Sequence, residues 1–339
     1  MKKLVYIGNF LNKDQTYQSA SDLLVDSLCT RDYTIEKSSN KRNKVIRIIK
    51  ITVAIFNNRN TTKVLLIDVF STLNFYQALW AKGLAKWLKI PHVLILHGGS
   101  LPHRIKQNQL LSKYLFKNAS AIVAPSFYLK EAVEKEGYRV VYIPNMLNII
   151  NYPFKMRSVL KPHLLWVRAF DKTYNPQMAI EVLIELLKTY PEARLTMVGP
   201  DKDGSLQACK KLVNKYSLND SVRFTGALTK ADWHLVAQQH DIFINTTTVD
   251  NTPVSVMEAM ALGLPVVSTE VGGIPFLLED GVNALLCESA NAVSMANQIN
   301  KLLEDPILVH DLSANARKKV EQFDIELVQK KWIELINNV

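Results

Sequence analysis

The chain has 339 residues, 48% hydrophobic and 21% charged, a globular composition that excludes a disordered or collagen-like protein. Its formal net charge of +10 is unevenly placed: residues 1–150 carry 22 Lys and Arg against 9 Asp and Glu, while residues 151–339 carry 19 against 22. The three cysteines, Cys29, Cys209 and Cys287, form no Cys-x-x-Cys pair, which argues against a structural zinc or a disulfide framework and for a reducing compartment.

The opening MKKLVYIGNF has a basic start, but its apolar run ends at Gly8, too short for a secretory h-region. Lys3–Ile7 reads instead as a first strand. Further runs rich in Val, Ile and Leu follow at Lys63–Ile67, His92–Leu96, Ala121–Ala124 and Val140–Ile143, as expected of strands covered on both faces. Tyr17–Cys29, Leu73–Leu88 and Ile105–Phe116 suit helices between them, and this alternation predicts a parallel sheet flanked by helices. The stretch from Ile143-Pro144-Asn145 to Asn151-Tyr152-Pro153 suits no regular element and reads as a linker.

The second half repeats the rhythm. Strands are expected at Leu164–Val167, Leu195–Val198, Val222–Thr225, Ile242–Ile244, Pro265–Ser268 and Ala284–Leu286. Helices are expected at Pro176–Lys188, Leu206–Tyr216, Lys230–Gln238 and Val254–Leu262, and only helices from about residue 291 to 338. The fold class is therefore α/β, two doubly wound Rossmann-like domains over residues 1–150 and 151–322 facing a central cleft. Ligands in such sheets sit outside the carboxyl ends of the strands. No run reaches the roughly 18 uninterrupted apolar residues of a membrane span, and a cytoplasmic protein is expected.

The most informative loop is NTTTVDNTPVSVMEAMALGLPVVSTE, residues 245–270. After an apolar strand comes a polar loop, then Pro253 opening a helix, a favoured place for proline. The first turn of such a helix offers unpaired amides and the positive end of the dipole, a ready phosphate site. Glu258 lies one to two turns further in, and Asp250 sits eight residues before it. A carboxylate can accept two hydrogen bonds from a vicinal diol, so this segment suits a diphosphate and a ribose. A capped helix with surface acids is the other reading of the same residues.

The run Asp250…Pro253…Glu258-Ala259-Met260-Ala261…Gly263…Pro265-Val266-Val267 resembles the acid-x7-Glu signature of family 4 glycosyltransferases, retaining enzymes of the GT-B fold. Val271-Gly272-Gly273-Ile274-Pro275 with Asp280-Gly281-x-Asn283, Val198-Gly199-Pro200 and Phe224-Thr225-Gly226 are similar to that family's neighbouring loops. Leu96-His97-Gly98-Gly99, Ala124-Pro125-Ser126 and Ile143-Pro144-Asn145 match it in the first half. The resemblance implies a bacterial surface-polysaccharide enzyme that moves a sugar from a nucleotide-diphosphate-sugar, UDP preferred, to a hydroxyl of a glycan or lipid-linked acceptor. It implies neither a cofactor nor a metal. Glu258 would hold the ribose, and Asp250 would face the transferred sugar. The segment Thr252, Pro253, Val254, Ser255 and Val256 would meet the diphosphate, with Gly199 beside it. Arg168 would neutralise the departing phosphates, and His97 would touch the donor sugar from the opposite domain. Gly8, Gly98 and Gly99 would line the acceptor side. Domain closure would complete the site, and residues 323–339 would form a helix crossing back to the N-terminal domain. Asp250 stands where the family more often has Glu. The family's Arg-x4-Lys clamp is also altered: Lys172 comes one residue early, and Tyr174 takes the lysine's place if Asn175-Pro176 sets the register.

Other signals compete. Asp201-Lys202-Asp203 is an Asp-x-Asp pattern that binds metal in another glycosyltransferase fold; followed by Gly204, it reads here as an exposed turn. His92, His97 and His103 lack the i, i+4 spacing of a zinc helix, and His234 and His240 read as ordinary. The segment Lys37 to Lys50 holds six basic residues and no acid. As a helix it puts Lys44, Arg47 and Lys50 on one side, with Val45, Ile48, Ile49, Thr52 and Phe56 on another. It is either a half-buried helix with a solvated face or, with Lys41 and Arg42, a dock for an anionic membrane surface and a peripheral inner-face location. It has no interleaved aromatic to stack a base, which argues against nucleic acid. The alternatives to a transferase are a GT-B nucleotide-sugar epimerase and a non-enzymatic basic lipid- or RNA-binding protein.

Overall fold

Each half of the chain builds one six-stranded, all-parallel sheet with helices on both faces. The structure is a computed structural model that describes residues 2–8, 10, 19–29, 33–38 and 43–339. The chain divides into two compact units, Met1–Met146 with Ile325–Val339, and Leu147–Asp324.

In the first unit the strands are β1 (Lys2–Ile7), β2 (Tyr33–Ser38), β3 (Thr62–Val69), β4 (His92–Leu96), β5 (Ala121–Ala124) and β6 (Val141–Tyr142). Its helices are α1 (Ala20–Leu28), α2 (Lys44–Asn57), α3 (Asn74–Trp87), α4 (Leu101–Gln107), α5 (Gln109–Phe116) and α6 (Phe127–Glu134). The second unit has β7 (His163–Val167), α7 (Pro176–Leu187), β8 (Arg194–Val198), α8 (Ser205–Lys215), β9 (Val222–Gly226), α9 (Lys230–Gln238), β10 (Ile242–Asn245), α10 (Val254–Ala261), β11 (Val266–Thr269), α11 (Ile274–Leu277), β12 (Leu285–Cys287), α12 (Ala292–Glu304) and α13 (Pro306–Glu321). The last helix, α14 (Ile325–Asn338), belongs to the first unit.

Strand alternation splits each core in two. In the first sheet Val5, Ile7, Leu65, Ile67 and Leu94 face one helical layer. Leu4, Tyr6, Val64, Leu66 and Val93 face the other, which holds α1 and the Val328, Trp332 and Ile336 stripe of α14. The strand order is β2-β1-β3-β4-β5-β6 in one unit and β12-β11-β10-β7-β8-β9 in the other. The direction of winding reverses between β1 and β3 and between β7 and β10, so the loops leaving those four strands flank the switch points where such sheets hold ligands.

Two features depart from the sequence reading. Strand β2 escapes an apolar-run criterion because it is an edge strand, paired only with β1 and carrying Glu36 and Lys37. Helix α2 buries a different stripe. Arg47 is 4% exposed and donates to Asn74 Oδ1 (3.0 Å) and Gln77 Oε1 (3.3 Å), whereas Val45, Ile49 and Phe56 are exposed. Only a narrow stripe of Arg47, Ile51, Ala54 and Ile55 faces inward, so Arg47 does not share a solvated side with Lys44 and Lys50. Lys41 and Arg42 lie outside the described residues.

Two buried histidines give stability a pH slope. Burial holds both His92 and His240 below the ordinary histidine value of about 6.5. His240 sits between Val236 O (2.7 Å) and Thr196 Oγ1 (2.8 Å). The folded protein keeps these rings neutral while the unfolded chain takes up protons below about pH 6.5, so their contribution is present above that value and lost as pH falls through the depressed values. The melting temperature is expected to drop between about pH 7.5 and pH 5.5, and less steeply in His240→Gln. An unchanged slope in that variant would assign the effect elsewhere.

Candidate functional site

The loops after β7 and β10 meet at the switch point of the second sheet. Arg168 follows β7, and its amide donates to Val198 O (3.0 Å) at the end of β8. Gly199 makes this approach feasible: a Cβ there would lie 1.8 Å from Arg168 O, and its φ is +148°. The next turn, Lys172–Tyr174, is a 3-10 helix capped by Asp171. Thr173 O accepts the Thr248 amide (2.8 Å) and Thr248 Oγ1 (3.0 Å), and Tyr174 O accepts Thr246 Oγ1 (2.8 Å). These bonds tie the Arg168 loop to the Asp250 loop.

Arg168 Nη2 donates to Asp250 Oδ2, and the guanidinium lies 4.7 Å from the centre of the Tyr174 ring. Asp250 is not a surface acid. Burial pushes its carboxyl up, against the pull of Arg168 and the Asn251 amide. The Asp250 carbonyl accepts the Gly273 amide (2.9 Å), so the Val271-Gly272-Gly273 loop clamps the segment from behind. Lys172 is exposed, with its amide donating to Asp203 Oδ2 (2.9 Å). Tyr174, not Lys172, is therefore the residue against Arg168.

Pro253 caps α10, and the first turn spans Val254, Ser255 and Val256 just after Thr252. Among the described residues, Ser255 Oγ and Arg168 Nε are buried with no hydrogen-bond partner. Glu258, one turn further on, is buried at 5% exposure. Its Oε1 accepts Tyr152 Oη (2.7 Å) and pairs with Lys230 Nζ (3.0 Å). Burial first, then the Glu258 charge, pushes the Tyr152 phenol well up. The His234 ring lies 4.8 Å from the Tyr152 ring, and burial lowers its pKa against the opposing Glu258 charge, so His234 is part of this cluster rather than ordinary.

Asp201 and Asp203 serve the loop itself. Asp201 Oδ1 accepts the Gly204 amide (3.0 Å); Asp203 accepts the amides of Lys172 (2.9 Å) and Ser205 (3.0 Å) and the Ser205 hydroxyl.

In the first unit, a second polar cluster sits at the β1/β3 switch point. Asp68, near the end of β3, accepts Tyr6 Oη (2.8 Å) and Ser21 Oγ (2.9 Å) and lies 2.8 Å from His97 Nε2. Phe70 stacks on the His97 ring at 4.8 Å. A carboxylate already taking two hydroxyl donors holds the Nε2–H tautomer of His97, which leaves Nδ1 as the acceptor edge. A Cβ on Gly8 would lie 2.7 Å from Asp68 Oδ2, so Gly8 gives this carboxylate its room. Gly98 is exposed, and Gly99 O accepts Tyr128 Oη (3.0 Å). Replacing Asp68 with Asn is expected to free the His97 tautomer, visible in the imidazole 15N shifts. Unchanged shifts would show that His97 is held by Phe70 alone.

Residues 154–319 match the profile of the family described as "Glycosyl transferases group 1". The matched segment lies within the Leu147–Asp324 unit. An uncharacterized glycosyltransferase of Haemophilus influenzae is 28% identical over 171 residues, 50% of this chain and 46% of that protein. The amylovoran biosynthesis glycosyltransferase AmsK of Erwinia amylovora is 32% identical over 262 residues, 73% of this chain and 61% of that one. The aligned parts thus span less than two thirds of either relative. The crystal structure of Anabaena Alr3699/HepE in complex with UDP is similar at a TM-score of 0.81 and 17% identity, covering 100% of both chains. The fold is GT-B, with two parallel six-stranded sheets and flanking helices.

The matched segment contains Arg168, Lys172, Gly199, Asp250, Thr252 to Val256 and Glu258; Gly8, His97, Gly98 and Gly99 lie outside it. Sequence reasoning missed Tyr152 and Lys230, which partner Glu258, and Asp68. The signal for Asp68 was present: it is the sole acid between Glu36 and Glu131, and it ends an apolar run. Nothing in the sequence marks Tyr152 or Lys230.

Proposed function

We propose that the chain is a retaining, metal-independent family 4 glycosyltransferase that moves a sugar from a nucleotide-diphosphate-sugar to a hydroxyl of a glycan or lipid-linked glycan, beside an anionic membrane surface. The observation that carries this reading is the cluster at the β7/β10 switch point. There a guanidinium with an orphaned Nε, a helix start with an orphaned hydroxyl and a largely buried carboxylate lie within the segment that matches the group 1 glycosyltransferase profile. Breaking a glycosyl–diphosphate bond leaves negative charge on the diphosphate, and donors fixed where charge develops are the largest catalytic contribution in most such sites. Arg168 and the α10 first turn supply that charge complement. Glu258 Oε1 takes its two protein donors and leaves Oε2 for a ribose hydroxyl. Asp250, held by Arg168, faces the transferred sugar. UDP is the expected nucleotide, since HepE is described in complex with UDP. Within the first unit, the Nδ1 edge of His97 suits a sugar hydroxyl, and Gly8, Gly98 and Gly99 stand with it at that unit's own switch point.

The test is a melting-temperature series with UDP, GDP, ADP and dTDP, followed by product analysis with the matching nucleotide-sugar. One nucleotide is expected to stabilise the protein, and the glycoside formed is expected to keep the donor's anomeric configuration, with full activity in chelator. An inverted product would exclude the retaining assignment. A donor altered without any acceptor would point to the epimerase, and no response to any nucleotide would remove the transferase reading.

A further inference from the structure

Helix α2 presents to solvent what a soluble helix normally buries. Val45, Ile49, Val53 and Phe56 recur at three- and four-residue spacing on its outward face, and Val45 is 68% exposed. Two tryptophans of α3 extend the strip. Trp80 Nε1 donates to Thr52 Oγ1 (3.0 Å), and the Trp87 ring, 69% exposed, stacks on Phe56 with centroids 6.4 Å apart. A contiguous exposed apolar surface of this kind marks an interaction site.

Charge selects the occupant. Between residues 43 and 120 the chain carries 12 Lys and Arg and a single acid, Asp68, which is buried. Lys44, Lys50, Arg59, Lys86 and Lys89 are exposed on the elements that carry the strip and the turns that follow them. A second copy docking by the same face would set these cations against each other, since Glu36, the carboxylate described at the end of α2, is already taken by Lys3 and Asn58. An anionic bilayer meets both demands: its interface takes tryptophan and aliphatic side chains, and its phosphates take the cations.

We propose that the outward face of α2, with Trp80 and Trp87, inserts into the interfacial layer of an anionic bilayer while Lys44, Lys50, Arg59, Lys86 and Lys89 lie against lipid phosphates. This deepens the reading above, which places the chain beside a membrane, by naming the contact and making it apolar as well as electrostatic. Arg47, which the sequence offered for this role, takes no part, because its guanidinium is buried against Asn74 and Gln77.

The 339-residue protein would be sedimented with phosphatidylcholine vesicles, with and without about one third phosphatidylglycerol. The expected result is binding to the anionic vesicles with a blue shift of tryptophan emission. The shift should be lost in W80F/W87F, and V45S/I49S/V53S should bind at least tenfold more weakly. K44Q/K50Q/K86Q should also weaken binding, at about fivefold per charge removed. Three results would overturn the proposal: no wild-type binding, V45S/I49S/V53S binding like wild type, or a concentration-dependent dimer that this triple variant abolishes. The nucleotide-induced rise in melting temperature, read on the same variants, separates the two readings. A rise without vesicle binding removes the docking face alone; vesicle binding without a rise removes the transferase alone.

Discussion

Replacing Arg168 with Ala is expected to lower turnover by on the order of 100–1,000-fold, the loss typical when one preorganised donor to a developing anion is removed. Stability should fall as well, because Arg168 and Asp250 are each largely buried and breaking such a pair costs about 3 kcal/mol. The two losses can be told apart. Burial already pushes the Asp250 carboxyl up, and without Arg168 it loses the charge that opposes this shift and takes up a proton more readily. The double variant Arg168→Ala/Asp250→Asn, with no carboxylate to strand, should recover much of the melting temperature and none of the turnover. Recovery of turnover would show that Arg168 acts through the fold and not on the leaving group. So would an Arg168→Ala single variant of undiminished rate.

Removing the Glu258 carboxylate should abolish nucleotide binding. A ligand at about 100 times its dissociation constant stabilises the folded state by roughly 2.7 kcal/mol, which a melting curve resolves. Glu258→Ala is expected to erase that increment for every nucleotide tested. Its own unliganded melting temperature should drop modestly, because Tyr152 Oη loses its acceptor while Lys230, with a 29% exposed side chain, turns to water. Glu258→Gln keeps an acceptor at the same position and should retain part of the response. A full nucleotide response in Glu258→Ala would move the ribose elsewhere.

The places of these two residues in the fold, though not their roles, were legible in the sequence for a physical reason. Arg168 and Glu258 sit at fixed offsets from elements that announce themselves, an apolar strand and a proline-opened helix. What surrounds them was not legible. Tyr152 lies in an irregular stretch and Lys230 in the first turn of α9, and only the folded chain brings both to Glu258. The two sheets were readable except at β2, where an edge position removes the demand for an apolar run. Helix α2 exposes Lys44 and Lys50 as expected but buries Arg47 and leaves Val45, Ile49 and Phe56 outside, because amphipathic periodicity fixes which residues share a face but not which face is covered.

The return of α14 to the first unit has a consequence for the order in which the protein is made. One face of the first sheet, with Leu4, Tyr6, Val64 and Leu66, is covered in part by Val328, Trp332 and Ile336. During synthesis that face stays incomplete while residues 147–336 are added, roughly 10–40 s at about 5–20 residues per second. The Leu147–Asp324 unit is contiguous and closes its core as it leaves the ribosome. The half of the chain that is begun first is therefore finished last, and a nascent chain stalled before α14 presents the ribosome exit with an open apolar sheet.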